Sequence, residues 1–115
     1  DFFDGGAVFD SIFGGVGFYV IDGGAGRDTI NGGAGRDIMT GGAGRDTFEF
    51  DFGDLGPIDE ITDFNTRQDK IVIQGASSGA ELSYNSETGI VSLDDQDFLQ
   101  LDTGLDEDKI KFDII

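Results

Sequence analysis

Large apolar side chains recur at every ninth position along the first half of the chain. The six positions hold Phe3, Ile12, Ile21, Ile30, Met39 and Phe48. Glycine pairs keep the same step of nine and begin at Gly5, Gly14, Gly23, Gly32 and Gly41. A period of nine fits neither a helix nor the simple alternation of a strand. It fits a unit that makes one short strand and one tight turn, and then repeats.

Stacking of these units predicts the architecture. Two units make one coil of about 18 residues, and the strands of successive coils then lie ~4.8 Å apart. The large apolar residues form two inner columns that face each other. We therefore predict an all-β fold, a parallel β-roll, for the repeated part of the chain.

The second half of the chain has no repeat and predicts antiparallel strands. Residues 81–84 and 89–93 read as a hairpin around a turn. Residues 97–101 continue this meander, and residues 109–115 predict a final strand. We expect these strands to form an antiparallel β cap that covers the open end of the roll.

This division predicts three parts in the chain. They are the nonapeptide repeats at 1–49, a segment that closes the roll at 50–73, and the C-terminal cap at 74–115.

Composition excludes several classes of function. The chain of 115 residues has 24 acidic and 7 basic residues, a net charge of −17, and no cysteine or histidine. The acidic balance argues against nucleic acid or an anionic membrane surface as a partner. The missing Cys and His exclude disulfides, Cys/His zinc sites and Ser-His or Cys-His catalysis. No apolar run approaches the ~18 residues that a membrane-spanning helix needs.

The acidic residues of the repeats point to a cation. The sixth position of each unit is Asp10, Asp28 and Asp46 on one edge of the predicted roll, and Asp1, Tyr19 and Asp37 on the other. Carboxylates about 5 Å apart repel each other unless a cation lies between them. The glycine turns add backbone carbonyls to this set. An all-oxygen set suits Ca²⁺, which takes 6–8 oxygen ligands, better than Mg²⁺, so we expect several calcium ions.

The three units at 23–49 carry a resemblance to a known family. They read GGAGRDTIN, GGAGRDIMT and GGAGRDTFE, and they match the nonapeptide G-G-x-G-x-D-x-U-x at every defined position. This part of the chain resembles RTX (hemolysin-type) calcium-binding repeats. The resemblance implies that each ion sits between two loops on the same edge, bound by loop carbonyls and by the aspartate of each loop.

The resemblance implies a best-formed site between loops 23–28 and 41–46. Its ligands would be Asp28, Asp46 and carbonyls among Gly23, Gly24, Ala25, Gly26, Gly41, Gly42, Ala43 and Gly44. A second site between loops 5–10 and 23–28 keeps Asp10 and Asp28 but has Val8 where a glycine is expected.

The opposite edge departs from the family pattern. Loop 32–37 would contribute Asp37 and the carbonyls of Gly32, Gly33, Ala34 and Gly35. Tyr19 replaces the aspartate that should pair with Asp37, so we expect this site to be weak or empty. Asp37 could instead share a site with Asp51 or Asp54.

Residues 48–73 resemble the closing segment of RTX rolls. The family pattern is F-x-F, then D-x-I-x-D-F, then D-K-I, which here fall at Phe48–Phe50, Asp59–Phe64 and Asp69–Ile71. The resemblance implies a last ion bound by Asp59, Asp63 and Asp69. The alternative is that Asp63 only caps a turn.

Several residues have two interpretations. Arg27, Arg36 and Arg45 occupy the fifth position, where they could bind an anionic polysaccharide, as alginate-binding RTX modules of epimerases do. Alternatively, they offset the neighbouring aspartates and cover the roll with their stems. Phe9 and Phe18 would cover the N-terminal end or contact an upstream domain. We expect no catalysis by the stacked carboxylates, which lack the apolar cleft of a glycosidase acid.

The ending Asp113-Ile114-Ile115 resembles the acidic-then-apolar terminus of proteins exported by bacterial type I secretion. Together with the repeats, it implies a secreted domain that folds on Ca²⁺ after export and supports a larger extracellular protein. Two alternatives stay open. One is an adhesive or polysaccharide-binding module, and the other is the non-catalytic tail of a secreted protease, lipase or epimerase.

Overall fold

The computed structural model describes residues 2–6, 9–51, 58–75 and 80–114. These residues form twelve strands and one 3-10 helix at Glu107–Lys109. The strands are β1 (Phe2–Asp4), β2 (Ser11–Phe13), β3 (Tyr19–Asp22), β4 (Thr29–Asn31), β5 (Asp37–Thr40), β6 (Thr47–Asp51), β7 (Asp59–Ile61), β8 (Lys70–Gln74), β9 (Leu82–Tyr84), β10 (Ile90–Leu93), β11 (Gln96–Gln100) and β12 (Phe112–Ile114). No helix among these residues is long and apolar enough to cross a membrane.

The repeat strands alternate between two sheets, as a β-roll requires. Sheet I has the order β1-β3-β5-β7-β11-β10-β9, and sheet II has the order β12-β8-β6-β4-β2. Neighbouring repeat strands run parallel, with Ile12 opposite Ile30 in sheet II and Ile21 opposite Met39 in sheet I. The register therefore advances by two nonapeptide units per coil, and the predicted parallel β-roll is confirmed.

The large apolar side chains that recur every nine residues fill the space between the two sheets. Ile21, Ile30, Met39 and Phe48 are fully buried. Burying a side chain of this size contributes roughly 1.5–3 kcal/mol relative to leaving it exposed. The tight turns between strands bring one such side chain into the core per unit, so the repeat itself builds the core.

The C-terminal strands form the predicted antiparallel meander and extend both sheets. β9, β10 and β11 pair antiparallel with one another. β11 then pairs parallel with β7, and β12 pairs parallel with β8. The cap is thus confirmed, and it continues the two sheets at the C-terminal end of the roll. Its buried side chains, which include Val91, Leu93, Phe98 and Leu99, join the same core.

Candidate metal centres

The aspartates of the sixth position form a column along the first edge of the roll. Its members are Asp10, Asp28, Asp46 and, one coil further on, Asp69. In each step, one carboxylate oxygen accepts a hydrogen bond from the backbone amide of the coil before it. Asp28 Oδ1 accepts from the Asp10 amide at 3.0 Å, and Asp46 Oδ1 accepts from the Asp28 amide at 3.0 Å. Asp69 Oδ1 accepts from the Asp46 amide at 2.9 Å, so Oδ1 serves to hold successive coils together.

Among the described residues, the second edge repeats this ladder with two carboxylates, against four on the first edge. Asp37 Oδ1 accepts from the Tyr19 amide at 3.0 Å, and Asp59 Oδ1 accepts from the Asp37 amide at 2.7 Å. The Tyr19 hydroxyl donates to the Val16 carbonyl oxygen at 2.9 Å. Tyr19 therefore keeps the backbone contact of its position but supplies no carboxylate to pair with Asp37.

The second carboxylate oxygen has no partner at four of these positions. The atoms are buried, and they are Oδ2 of Asp10, Asp28, Asp37 and Asp46. An ionised oxygen that is buried without a hydrogen bond carries a large desolvation cost. A bound cation would remove this cost. The four buried oxygens are therefore uncompensated negative charge that Ca²⁺ would neutralise.

Two of these oxygens, Oδ2 of Asp28 and Oδ2 of Asp10, lie beside a loop carbonyl of the next coil. A Cβ built on Gly23 would stand 2.7 Å from Asp28 Oδ2 and 2.9 Å from the Gly41 carbonyl oxygen. A Cβ built on Gly5 would stand 2.8 Å from both Asp10 Oδ2 and the Gly23 carbonyl oxygen. Carboxylate and carbonyl oxygens thus converge where only glycine leaves room, which is the donor set that Ca²⁺ prefers.

The loops on one edge are stacked in contact. Gly42 has φ +84°, and a Cβ there would overlap the carbonyl oxygen of Gly24. The Ala25 amide donates to the Gly6 carbonyl at 2.9 Å, and the Gly26 amide donates to the Ala43 carbonyl at 3.1 Å. Gly5, Gly6 and Asp10 of the first loop therefore lie in line with loops 23–28 and 41–46 along this edge. On the second edge, loop 32–37 stacks in the same way, with Gly33 and Gly35 against Gly15 and Gly17.

Burial raises the pKa of five carboxyls in the two columns. It raises the pKa of Asp46 and of Asp59 to about 7, and that of Asp37 to about 6. The pKa values of Asp28 and Asp69 are also raised by burial, with neighbouring carboxylates as a further cause. At neutral pH, the columns thus contain charge that the protein alone stabilises poorly.

The structure does not bring together the three aspartates expected at a last ion. Asp59 belongs to the second edge, whereas Asp69 belongs to the first. Asp63 accepts from the Gly41 amide through Oδ1 and from the Gly42 amide through Oδ2, both at 2.9 Å. Both oxygens of Asp63 thus hold the Gly41–Gly42 turn, and its charge also raises the pKa of Asp46 and of Asp69. Within the described parts of the chain, no group of three or more acidic side chains could hold a metal, so each candidate site combines fewer carboxylates with carbonyls.

Four further residues named in the sequence analysis are Val8, Asp51, Asp54 and Asp69. Val8 and Asp54 lie outside the described residues. Asp51 is exposed at the end of β6. Asp69 uses Oδ2 as well, which accepts from the Asn65 amide at 2.9 Å, so both its oxygens hold backbone.

The structure also gathers basic residues that sequence reasoning treated separately or missed. Arg27 and Arg45 line one groove with Lys70 and Lys111, beside Asp46, Thr47 and Gln68. Lys70 could have been found, because it pairs with Thr47 in the register of the roll. Lys111 could not, because only the parallel docking of β12 on β8 brings it there. Arg36 lies on the other edge, near Asp59.

A family of calcium-binding repeats matches the repeated part of the chain. Residues 20–54 match the family model "RTX calcium-binding nonapeptide repeat (4 copies)". The chain is also similar to the solution structure of the AlgE6R2 subunit from the Azotobacter vinelandii mannuronan C5-epimerase. The two are 26% identical, the match covers 93% of this chain and 90% of that one, and the TM-score is 0.44. A search of curated proteins finds no match.

Proposed function

We propose, on the premise that residues 20–54 are RTX calcium-binding nonapeptide repeats, that this chain is a domain that folds when it binds calcium. The observation that carries the proposal is the set of four buried Oδ2 atoms without hydrogen-bond partners. They lie in the two edge columns, against glycine loops that are stacked closely enough for two loops to share an ion.

Three loops of the first edge would hold two ions. The carboxylates of Asp10 and Asp28 serve the pair of loops 5–10 and 23–28, and those of Asp28 and Asp46 serve the next pair. Bound Ca²⁺ supplies positive charge and accepts oxygen ligands. The second edge offers Asp37 with the loop carbonyls of residues 32–35, and the absence of a carboxylate at Tyr19 favours a weaker site there.

The free energies of folding and of calcium binding favour a domain whose folding depends on calcium. Without calcium, folding buries anionic oxygens and orders a chain with 20 glycines, which has a high conformational entropy to lose. Extracellular calcium modules bind with dissociation constants of about 10⁻⁴–10⁻³ M. When the site forms only in the folded chain, binding free energy becomes folding free energy. The domain would therefore stay unfolded in a low-calcium cytosol and fold outside the cell.

This switch suits a part of a secreted bacterial protein. An unfolded chain can pass through a type I secretion channel, and folding outside would support the folding and export of the larger protein. In this proposal, the repeats at 1–49 bind calcium, residues 50–73 close the roll, and residues 74–115 form the cap that nucleates it. These residues would have a binding role and no catalytic one.

Substitution of a shared ligand tests the calcium sites. Asp28→Asn keeps an Oδ1 acceptor for the Asp10 amide but removes the charge shared by two ions. We expect it to raise the calcium midpoint of folding by roughly tenfold or more, since ligand charge count tunes affinity. Asp113→Asn, at an exposed position of β12, is the matched control and should leave the midpoint unchanged. Equal midpoints for the two variants in circular dichroism titrations would refute the sites.

The basic groove favours a second candidate function, the binding of an anionic polysaccharide in an adhesive module. Arg27, Arg45, Lys70 and Lys111 converge there although the chain carries a net charge of −17. The double variant Arg27→Ala/Arg45→Ala should then lose glycan-array binding while calcium-induced folding persists. Arg36→Ala, on the opposite edge, is the control. Binding that is equal in all three proteins, or absent from the unmodified chain, would exclude this function.

The tail of a secreted protease, lipase or epimerase is compatible with the calcium switch. The sequence of the whole protein would show whether the chain is such a tail, for example through a zinc-protease H-E-x-x-H motif in another part of it.

A further inference from the structure

Three units of the roll close the glycine turn that follows them with the side chain of their own ninth residue. In each, one side-chain oxygen accepts a hydrogen bond from the amide of the second glycine in the following pair. The pairs are Asp4 with Gly6 at 3.0 Å, Asp22 with Gly24 at 2.9 Å, and Asn31 with Gly33 at 2.9 Å. A neutral amide oxygen thus caps this turn at the same distance as a carboxylate.

This hydrogen bond orients a backbone carbonyl. A trans peptide group is planar, so its N–H and C=O groups point in opposite directions. Asp22 holds the N–H of Gly24, and the C=O of Gly23 in the same peptide group therefore points away from Asp22. A Cβ built on Gly5 would lie 2.8 Å from both the Gly23 carbonyl oxygen and Asp10 Oδ2. The cap thus directs the carbonyl toward a carboxylate oxygen that has no hydrogen-bond partner.

The glycine pair Gly41–Gly42 is capped from a different part of the chain. The residue before this pair is Thr40, whose hydroxyl is hydrogen-bonded to that of Thr62 at 2.6 Å. Asp63, in the next coil, provides the cap instead. Its Oδ2 accepts from the amide of the second glycine and its Oδ1 from that of the first, both at 2.9 Å.

Asp63 also replaces a backbone acceptor. The amide of Gly23 donates to the carbonyl oxygen of Thr40 in the next coil at 2.8 Å. The corresponding amide of Gly41 donates to Asp63 Oδ1. One carboxylate of the closing segment therefore supplies both acceptors that a nonapeptide coil supplies at the start of this turn.

The carbonyl that Asp63 orients belongs to the candidate site between loops 23–28 and 41–46. A Cβ built on Gly23 would lie 2.7 Å from Asp28 Oδ2 and 2.9 Å from the Gly41 carbonyl oxygen. This carbonyl is in the same peptide group as the Gly42 amide, which Asp63 holds. Asp63 is thus connected to the site through a single peptide group.

We propose that Asp63 is a positioning residue of this calcium site, which it orients without binding the ion; this inference rests on the proposed function. Asp63 fixes the direction of the Gly41 carbonyl. Its hydrogen bond to the Gly42 amide also polarises the shared peptide group, which makes the carbonyl oxygen a better ligand for Ca²⁺. Because Asp63 follows β7 in the closing segment, loop 41–46 acquires its binding geometry only when that segment is docked.

Calcium titrations of the full chain test the proposal, with folding followed by circular dichroism and bound ions counted by calorimetry. Asp63→Asn leaves an oxygen for the Gly41 amide but places an NH₂ group against the Gly42 amide. We expect it to raise the calcium midpoint of folding by roughly tenfold, because a hydrogen bond to a charged group is lost. The number of ions bound at saturation should equal that of the unmodified chain. Loss of one ion would overturn the proposal, because Asp63 would then be a ligand.

The double variant Thr40→Asn/Asp63→Asn separates geometry from charge. It provides at position 40 the neutral cap that Asn31 provides in its own unit. The calcium midpoint should therefore return most of the way to that of the unmodified chain. Thr40→Asn alone is the control and should change the midpoint little, since it removes only an exposed hydroxyl contact. A double variant that does not fold, or that keeps the raised midpoint, would overturn the proposal. So would rescue by Thr40→Asp/Asp63→Asn alone, because charge and not orientation would then be the cause.

The effect of Asp63 should also depend on the site itself. In an Asp28→Asn background, Asp63→Asn should raise the midpoint by a much smaller factor than in the unmodified chain. Equal factors in both backgrounds would overturn the proposal, since Asp63 would then only stabilise the fold. An unmodified chain that binds no calcium would overturn the proposed function together with this inference. Calcium-dependent folding that does not respond to Asp63→Asn would overturn the inference alone.

Discussion

Three column aspartates, Asp28, Asp37 and Asp46, divide their two carboxylate oxygens between two tasks. In Asp28, Oδ1 accepts the amide of Asp10, and Oδ2 is buried without a hydrogen-bond partner. The first oxygen helps to stack the coils, and the second needs a cation. One side chain thus links coil stacking to calcium binding, and this is the residue-scale basis of the proposed switch.

Glycine at the second position of a unit is needed for close stacking more than for its turn conformation. Gly42→Ala would clash with the Gly24 carbonyl, so we expect it to raise the calcium midpoint strongly or to prevent folding. Gly6→Ala meets the same backbone cost, of about 1–2 kcal/mol for a left-handed residue, but has open space around it. In calcium titrations of dilute protein, Gly6→Ala should lie much nearer to the unmodified chain. Equal effects would show that stacking adds nothing.

The raised pKa values of the column carboxyls predict how pH acts on the calcium-free chain. Burial raises the pKa of Asp46 and Asp59 to about 7, well above that of an unfolded aspartate. The folded state therefore binds more protons than the unfolded state between these values, and stability falls as pH rises through about 7. In EDTA, circular dichroism should show more β structure at about pH 5.5 than at about pH 8. The same β content at both would contradict this.

At the scale of elements, the sequence predicted the individual strands well, but it did not predict how the strands of the cap pair with those of the roll. The spacing of Ile12, Ile30 and Phe48 predicted the coils, because each unit repeats the same local geometry and the register follows from it. The strands of the cap were also predicted, with shifts of one to three residues at their ends. The parallel pairings of β11 with β7 and β12 with β8 depend on contacts between distant segments, which no local pattern records.

The same limit explains the outcome at the candidate sites. The columns of Asp28 with Asp46 and of Asp37 follow from the repeat. The separation of Asp59 from Asp69 does not, because the closing segment breaks the nine-residue step and sends the two aspartates to different edges.

The cap should stabilise the roll through a small number of aromatic contacts. Phe98 of β11 is fully buried, and its ring meets that of Phe50 of β6 edge-on, with 5.4 Å between their centroids. Phe98→Ala should lower the free energy of unfolding by about 3–5 kcal/mol and raise the calcium midpoint. Phe13→Ala, at an exposed position, should change both much less. Folding of the repeats at the usual calcium concentration in Phe98→Ala would show that the roll does not need the cap.

At the scale of the whole molecule, the net charge of −17 has two parts. The repeats place carboxylates in two columns, where calcium can neutralise them, while most of the acidic residues lie beyond residue 49. The basic residues are also unevenly placed, since Arg27, Arg45, Lys70 and Lys111 share one groove. In the proposed switch, the repulsion among these acidic residues would favour the unfolded chain when calcium is absent.

The most direct test compares the far-ultraviolet circular dichroism of the chain at neutral pH in EDTA and in millimolar calcium. The account predicts an unfolded spectrum in EDTA that converts to a β spectrum when calcium is added, and reverts when calcium is removed. The same β spectrum under both conditions would contradict the central claim that calcium binding drives the folding of the roll.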